Sequence, residues 1–184
     1  MAKRTKESIM LGSGEAFITE YDAATGMPEV AELCVDENRL GWIQGGAELT
    51  YTAELHEEKD DLGMVSKVIV NEEEAILKLG LLTWNGTTLA KLVDRCQVTE
   101  SNGKRTVHIG GAGNTQGKEW VVCFYQYDPK DGKLWVLIRG TNQSGISLTF
   151  AKDAATKLEP EFKAMVQDEN GSLITVIEET GTAA

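Results

Sequence analysis

The sequence predicts a mainly β fold with one short helix, an extended N-terminal arm and a long exposed loop. Three observations carry that reading. Gly, Asn and Asp punctuate the chain at short intervals, with β-branched and aromatic residues between them, the pattern of many strands rather than a few long helices. Residues 47–55 alternate strictly, with Ala47, Leu49, Tyr51, Ala53 and Leu55 separated by Glu48, Thr50, Thr52 and Glu54. A period of two puts one face in a core and the other in water. Finally, Asn102-Gly103 and Asn170-Gly171 supply the left-handed conformations that tight hairpins need.

In chain order, residues 1–14 are polar, start basic with Lys3, Arg4 and Lys6, and end in Gly12-Ser13-Gly14. They read as an arm that orders only when something holds it. A single β-rich domain follows over 15–184, long enough to bury a core without disulfides or metals. After the alternating strand, residues 56–63 hold two Glu and two Asp around one Lys and read as an exposed loop before a second strand over 64–71, the two strands making a long hairpin. Residues 72–82 stay open between helix and strand, because Glu, Ala, Leu and Lys favour helix while neighbouring strands can recruit them. Leu89, Leu92 and Val93 recur at i, i+3 and i+4 behind polar capping residues, predicting a two-turn helix over 87–93. Asn102-Gly103 and Asn170-Gly171 each predict a hairpin. Asp131-Gly132 predicts another, joining 118–127 to 133–139 through a loop that includes Pro129.

This last hairpin departs from simple alternation. Residues 120–125 and 134–138 are apolar on both faces, so each face needs a cover. Trp120, Val122, Phe124, Trp135 and Leu137 are accordingly expected in the core or at a subunit interface. The second face requires another sheet, a helix or another subunit.

Composition excludes several function classes. Lys plus Arg number 18 against 29 Asp plus Glu, a formal charge of −11, which repels a phosphate backbone and otherwise serves solubility. Cys34, Cys96 and Cys123 are odd in number and lack CxxC spacing, which points to synthesis in a reducing cytoplasm. Ile9-Met10-Leu11 is too short for a signal peptide's apolar region, and no run is long enough for a membrane helix, so no membrane anchor is expected. His56 and His108 are the only histidines. With no HExxH or paired CxxC they are given surface roles, and no metal is predicted. Gly110-Gly111-Ala112-Gly113-Asn114 lacks the GK[ST] ending and precedes a strand rather than a helix, so it reads as a mobile loop, not a phosphate cradle. There is no GxSxG. The acidic runs Asp60-Asp61 and Glu72-Glu73-Glu74 read as solvated faces. No catalytic residue and no cofactor are predicted, and the expectation is a non-enzymatic structural or binding protein.

Four segments carry a resemblance. They are Leu40-Gly41-Trp42-Ile43-Gln44-Gly45-Gly46-Ala47 leading into the strand that ends at Leu55, the acidic segment closing in Asp61-Leu62-Gly63, Leu79-Gly80-Leu81-Leu82-Thr83-Trp84-Asn85, and a final stretch. That stretch runs from Phe162-Lys163-Ala164 through Asp168-Glu169-Asn170-Gly171 to Ile174-Thr175-Val176-Ile177-Glu178-Glu179. In order and spacing they resemble the tail tube (major tail) proteins of bacteriophages. The resemblance implies a β-sandwich or barrel-like core with a short flanking helix, and hexameric rings whose sheets join into a barrel lining a lumen. The rings stack into a tube. Implied partners are further copies of the chain, tail initiator or baseplate and terminator proteins, a tape measure protein in the lumen, and DNA that passes without specific binding. The implied location is the tail of the virion, after synthesis in the host bacterial cytoplasm.

On this basis Glu48, Thr50, Thr52 and Glu54 are expected to face the lumen, where carboxylates let DNA slide. Lys3, Arg4 and Lys6 of the arm are expected to meet Glu57, Glu58, Asp60 and Asp61 of the acidic loop across a ring-stacking interface. Two other readings fit the same sequence. One is a β-sandwich module binding carbohydrate or a virion component through Trp42, Trp84, Trp120 or Trp135. The other is a tube subunit of a bacterial contractile injection or type VI secretion system.

Overall fold

The computed structural model describes residues 4, 9, 12–64, 66–114 and 118–180. Its elements are β1 (Glu15–Glu20), α1 (Val30–Leu33), β2 (Arg39–Lys59), β3 (Ser66–Leu81), α2 (Gly86–Leu92), β4 (Cys96–Ser101), β5 (Lys104–Ile109), β6 (Trp120–Asp128), β7 (Gly132–Asn142), β8 (Glu161–Met165) and β9 (Thr175–Glu178). The protein is mainly β, as the punctuation and alternation predict.

The large sheet has the order β6-β1-β2-β3-β8-β7-β9, and β6 also pairs with β7. The circuit β6-β1-β2-β3-β8-β7 therefore returns to its start, and every pairing in it is antiparallel. Closure removes most of the edges that a strand-rich chain must otherwise protect. Alternate residues point inward. Ala16 and Ile18 of β1, Leu77 and Leu79 of β3, Val122 of β6, Ile138 of β7 and Phe162 of β8 form one interior cluster. Close approach between strands requires glycine at several points on the wall; at Gly140, for instance, a Cβ would collide with the Lys163 carbonyl on β8.

The predicted two-turn helix is α2. Asn85 caps it, accepting from the amides of Thr87 and Thr88, while the Asn85 amide donates to the Thr88 hydroxyl. Leu89 and Leu92 turn onto the interior cluster. The Asn102-Gly103 hairpin forms as predicted, with φ of 51° and 70°, and joins β4 to β5 in a separate two-stranded sheet. The Asp131-Gly132 hairpin joins β6 to β7. The open stretch 72–82 is strand up to Leu81, because pairing with β2 on one side and β8 on the other outweighs helix propensity.

Four expectations are corrected. The fold has two α-helices among the described residues, not one. The acidic residues do not form a loop from His56: β2 continues through Lys59, pairing His56 with Ile69, Glu57 with Val68 and Glu58 with Lys67. Among the described residues, 60–64 alone lie between the two strands. The Asn170-Gly171 turn exists, with Gly171 at φ 82°, but it closes no hairpin. β8 pairs with Arg139–Asn142 of β7 and β9 pairs with the preceding stretch Leu134–Leu137, so 166–174 is an excursion from one interrupted strand along the same β7 edge. Asp168 holds that excursion, its carboxylate accepting from the Asn170 and Ser172 amides at 2.9 Å each. Finally, the alternating strand 47–55 does not bury its odd face.

The question of what covers both faces of the β6–β7 hairpin has an internal answer. Val122 faces the barrel interior, with Trp120 and Phe124 packed beside it. The opposite face, with Val121, Cys123 and Leu137, is covered by Phe17, Leu33, Tyr21, Met27 and Val30, with Trp135 and Ile177 alongside. The short helix α1 and its flanks cover the second face. Val122 and Leu137 are buried, and Trp120, Phe124 and Trp135 are half-buried, so all five pack within the chain's own two clusters.

Candidate assembly surface

β2 and β3 are 21 and 16 residues long, and the barrel uses only their bases. β1 meets β2 at Arg39–Trp42, and β8 meets β3 at Ile76–Lys78. Beyond those contacts the two strands pair with each other alone among the described residues. The stretch from Leu49 to Lys59 reaches roughly 35 Å at about 3.3 Å per residue. It is a two-stranded ribbon with an open backbone edge along 43–59 and another along 66–75.

The departure point is a wide irregularity. Ile43 pairs with Leu81 and Ala47 with Leu79, leaving Gln44, Gly45 and Gly46 to bulge. Gly45 and Gly46 take φ of 97° and 82°, a conformation that side chains with a Cβ resist. A second shift follows between Glu54 and Leu55.

The two faces of the ribbon differ in chemistry. One continues the barrel's interior face outward through the cross-strand pairs Leu49–Leu77, Tyr51–Ala75 and Leu55–Val70. Leu77 is buried at 1% exposure, but Tyr51 is 51%, Val70 53% and Leu55 67% exposed. At the tip, Leu62 and Met64 are also exposed. Ala53 opposite Glu73 interrupts this row, but so much exposed apolar surface on one face is unusual for a chain that works as a monomer. The Tyr51 hydroxyl donates to the Glu73 carboxylate, and that bond raises its pKa above the usual phenol value.

The other face carries Glu48, Thr50, Thr52 and Glu54, all exposed. They stand opposite Lys78, Ile76, Glu74 and Glu72 respectively. The four residues expected to share a wet face do share one, and β3 adds two carboxylates to it. Beside them, Lys163 pairs with Glu74 at 2.6 Å and Lys78 with Glu161 at 3.0 Å. These bonds raise the pKa of both lysines, through Glu161 for Lys78 and Glu74 for Lys163. Glu54 and Glu72 oppose each other as like charges near the end of the row, an arrangement unfavourable in a sheet.

The expected stacking residues are scattered by the longer β2. Glu57 and Glu58 are strand residues with local partners, Glu57 bonding Lys59 at 2.9 Å and Glu58 bonding His56 at 2.8 Å. Asp60 and Asp61 lie at the ribbon's turn. Lys3 and Lys6 lie outside the described residues. Arg4 is half-buried, and its charge helps hold the Asp128 carboxyl below its ordinary value, after the larger effect of the Lys130 and Asp131 amides. Arg4 thus lies near enough to the β6–β7 turn for its charge to reach Asp128.

Trp42 stands 54% exposed where β2 leaves β1, with the Arg39 guanidinium 4.9 Å from its ring. Arg39 is held in turn by Glu15 at 2.8 Å and Asp36 at 3.0 Å. Trp84 is tied down by its indole N–H to the Thr156 carbonyl. Among the described residues no cluster of three or more His, Cys, Asp or Glu is placed to hold a metal, and no helix is long and apolar enough to cross a membrane.

The sequence matches no family model and no curated protein. The ribbon is the feature that sequence reasoning half found: the alternation marked the strand, but nothing in it marked where the barrel would end.

Proposed function

We propose that this chain is a non-enzymatic structural subunit that assembles with copies of itself, and specifically the subunit of a phage tail tube. The observation that carries the reading is the β2–β3 ribbon, whose exposed apolar side chains and two backbone edges have no cover among the described residues. A second copy laid against either edge satisfies the backbone groups, and packing of a copy across the ribbon's face buries the apolar side chains. Repeated around an axis, that contact closes a ring without leaving an edge. The hexameric count and the stacking of rings come from the resemblance in segment order.

The charged face fits the same assembly. With the apolar stripe turned to neighbouring copies, Glu48, Glu54, Glu72 and Glu74 remain on the opposite face. A lumen lined in this way discourages DNA from adhering as it passes. Each chain brings a formal charge of −11, so a ring multiplies that repulsion. In this reading the partners are the copies of the chain, an initiator or baseplate complex that nucleates them, a terminator, and a tape measure protein in the lumen. The location is the virion tail.

Negative-stain electron microscopy of concentrated protein, alone and with its initiator complex, tests the proposal. Rings or hollow tubes are expected. Monomers at every concentration in both conditions would contradict it and would turn attention to Trp42 as the platform of a binding module.

A further inference from the structure

Cys34 and Cys123 are 89 positions apart in sequence, yet their sulfurs lie 3.8 Å apart. Cys123 is fully buried on β6. Cys34 is half-buried and forms the C-cap of α1, where its amide donates to the Val30 carbonyl. The two thiols are therefore unequal: one can be reached from solvent, and the other waits directly behind it.

We propose that Cys34 and Cys123 form a two-cysteine redox site that peroxide converts to a disulfide fastening α1 to the barrel wall. The Cys34 thiolate attacks one peroxide oxygen and the O–O bond breaks, giving a sulfenic acid and a hydroxide that takes up a proton to become water. The Cys123 sulfur then attacks the Cys34 sulfur, the S–O bond breaks, and the departing hydroxide takes the Cys123 proton as a second water. Two thiols and one peroxide give one disulfide and two waters.

The local chemistry suits this order of events. The hydrogen bond with Cys123 lowers the Cys34 pKa against the opposing effect of burial, and the Trp135 side chain adds a second hydrogen-bonding influence on the same sulfur. The partner thiol and its burial push Cys123 the other way, so it stays protonated until the sulfenic acid forms. A disulfide bond is about 2.05 Å long, so the sulfurs must still approach. The shorter element at that approach is α1, a single turn of 4 residues without a side-chain N-cap bond. Cys96 provides an internal control: burial raises its pKa, and no second cysteine accompanies it.

This inference is independent of the assembly reading. The test is to treat the folded chain with a small excess of hydrogen peroxide, block remaining thiols with N-ethylmaleimide, and map peptides without reduction. The expected product lacks two hydrogens, contains a Cys34–Cys123 cross-linked peptide and carries the block on Cys96. Its melting temperature rises by several degrees and falls back on reduction. In Cys123→Ser, checked for native circular dichroism, Cys34 should be trapped by dimedone as the sulfenic acid. Two results would overturn the proposal: wild-type Cys34 oxidised without the cross-link, or both thiols still blocked at a peroxide dose that oxidises free cysteine.

Discussion

Replacing Leu55 and Val70 together by threonine tests whether the stripe is an assembly surface. The two residues face each other across the ribbon and are 67% and 53% exposed. Threonine is itself a good strand residue, so the monomer's ribbon should survive. Burying a whole Leu or Val side chain contributes about 1.5–3 kcal/mol. Scaling by the exposed fractions, and allowing for the methyl that threonine keeps, the variant loses on the order of 2 kcal/mol for each contact between copies. At about 1.4 kcal/mol per tenfold, the threshold concentration for assembly should rise by about 30-fold. The assay is a concentration series resolved by sedimentation, with the monomer's melting temperature measured in parallel. An unchanged threshold would refute the assignment of the stripe. A large drop in the monomer's melting temperature would refute the claim that these side chains lack intrachain cover.

Other outcomes follow from individual contacts. Asn85→Ala removes the acceptor for two helix amides at α2 and should cost about 1 kcal/mol in urea unfolding, while Asn85→Asp, which caps equally well, should cost little. Asp168 has its pKa lowered by hydrogen bonds from Ser172 and then from the Asn170 and Gly171 amides. Because the folded value is depressed, its contribution is present above the ordinary aspartate pKa and is lost as pH falls through the folded value. Melting temperatures followed downward from about pH 6 should therefore fall less steeply in Asp168→Asn than in the parent below about pH 4. Replacing Glu48 and Glu54 with lysine should leave rings intact but slow DNA ejection from particles. Ejection at the parent rate would remove those residues from the lumen.

The parts of the fold written in the sequence are those set locally. Asn102-Gly103 specifies its own hairpin because both residues reach positive φ, and Leu89 with Leu92 behind Asn85 specifies α2 for the same kind of reason. What the sequence concealed depends on distant partners. Residues 72–81 could be read as helix until β2 and β8 are placed beside them. The four residues of α1 carry too little periodicity to announce a helix, yet they cover the outer face of β6 and so answer the question its apolar pattern raised. The Asn170-Gly171 turn was visible, but not that β9 would return to β7 instead of pairing with β8.

For the assembly surface, alternation correctly grouped Glu48, Thr50, Thr52 and Glu54 on one face. The same alternation implied a core beneath the other face, because period two reports which residues share a side and says nothing about what lies against it. That core extends only as far as β1 and β8 accompany the ribbon. The proximity of Cys34 and Cys123 carried no sequence signal at all, since it arises from α1 folding back onto β6.

The most direct test of the central claim is amide hydrogen exchange on the monomer and on pelleted assemblies, read along 43–59 and 66–75. The account predicts rapid exchange at the open edges of the monomer and strong protection of at least one edge after assembly, with the barrel's interior strands protected in both states. Assemblies whose ribbon amides exchange as fast as those of the monomer would contradict it.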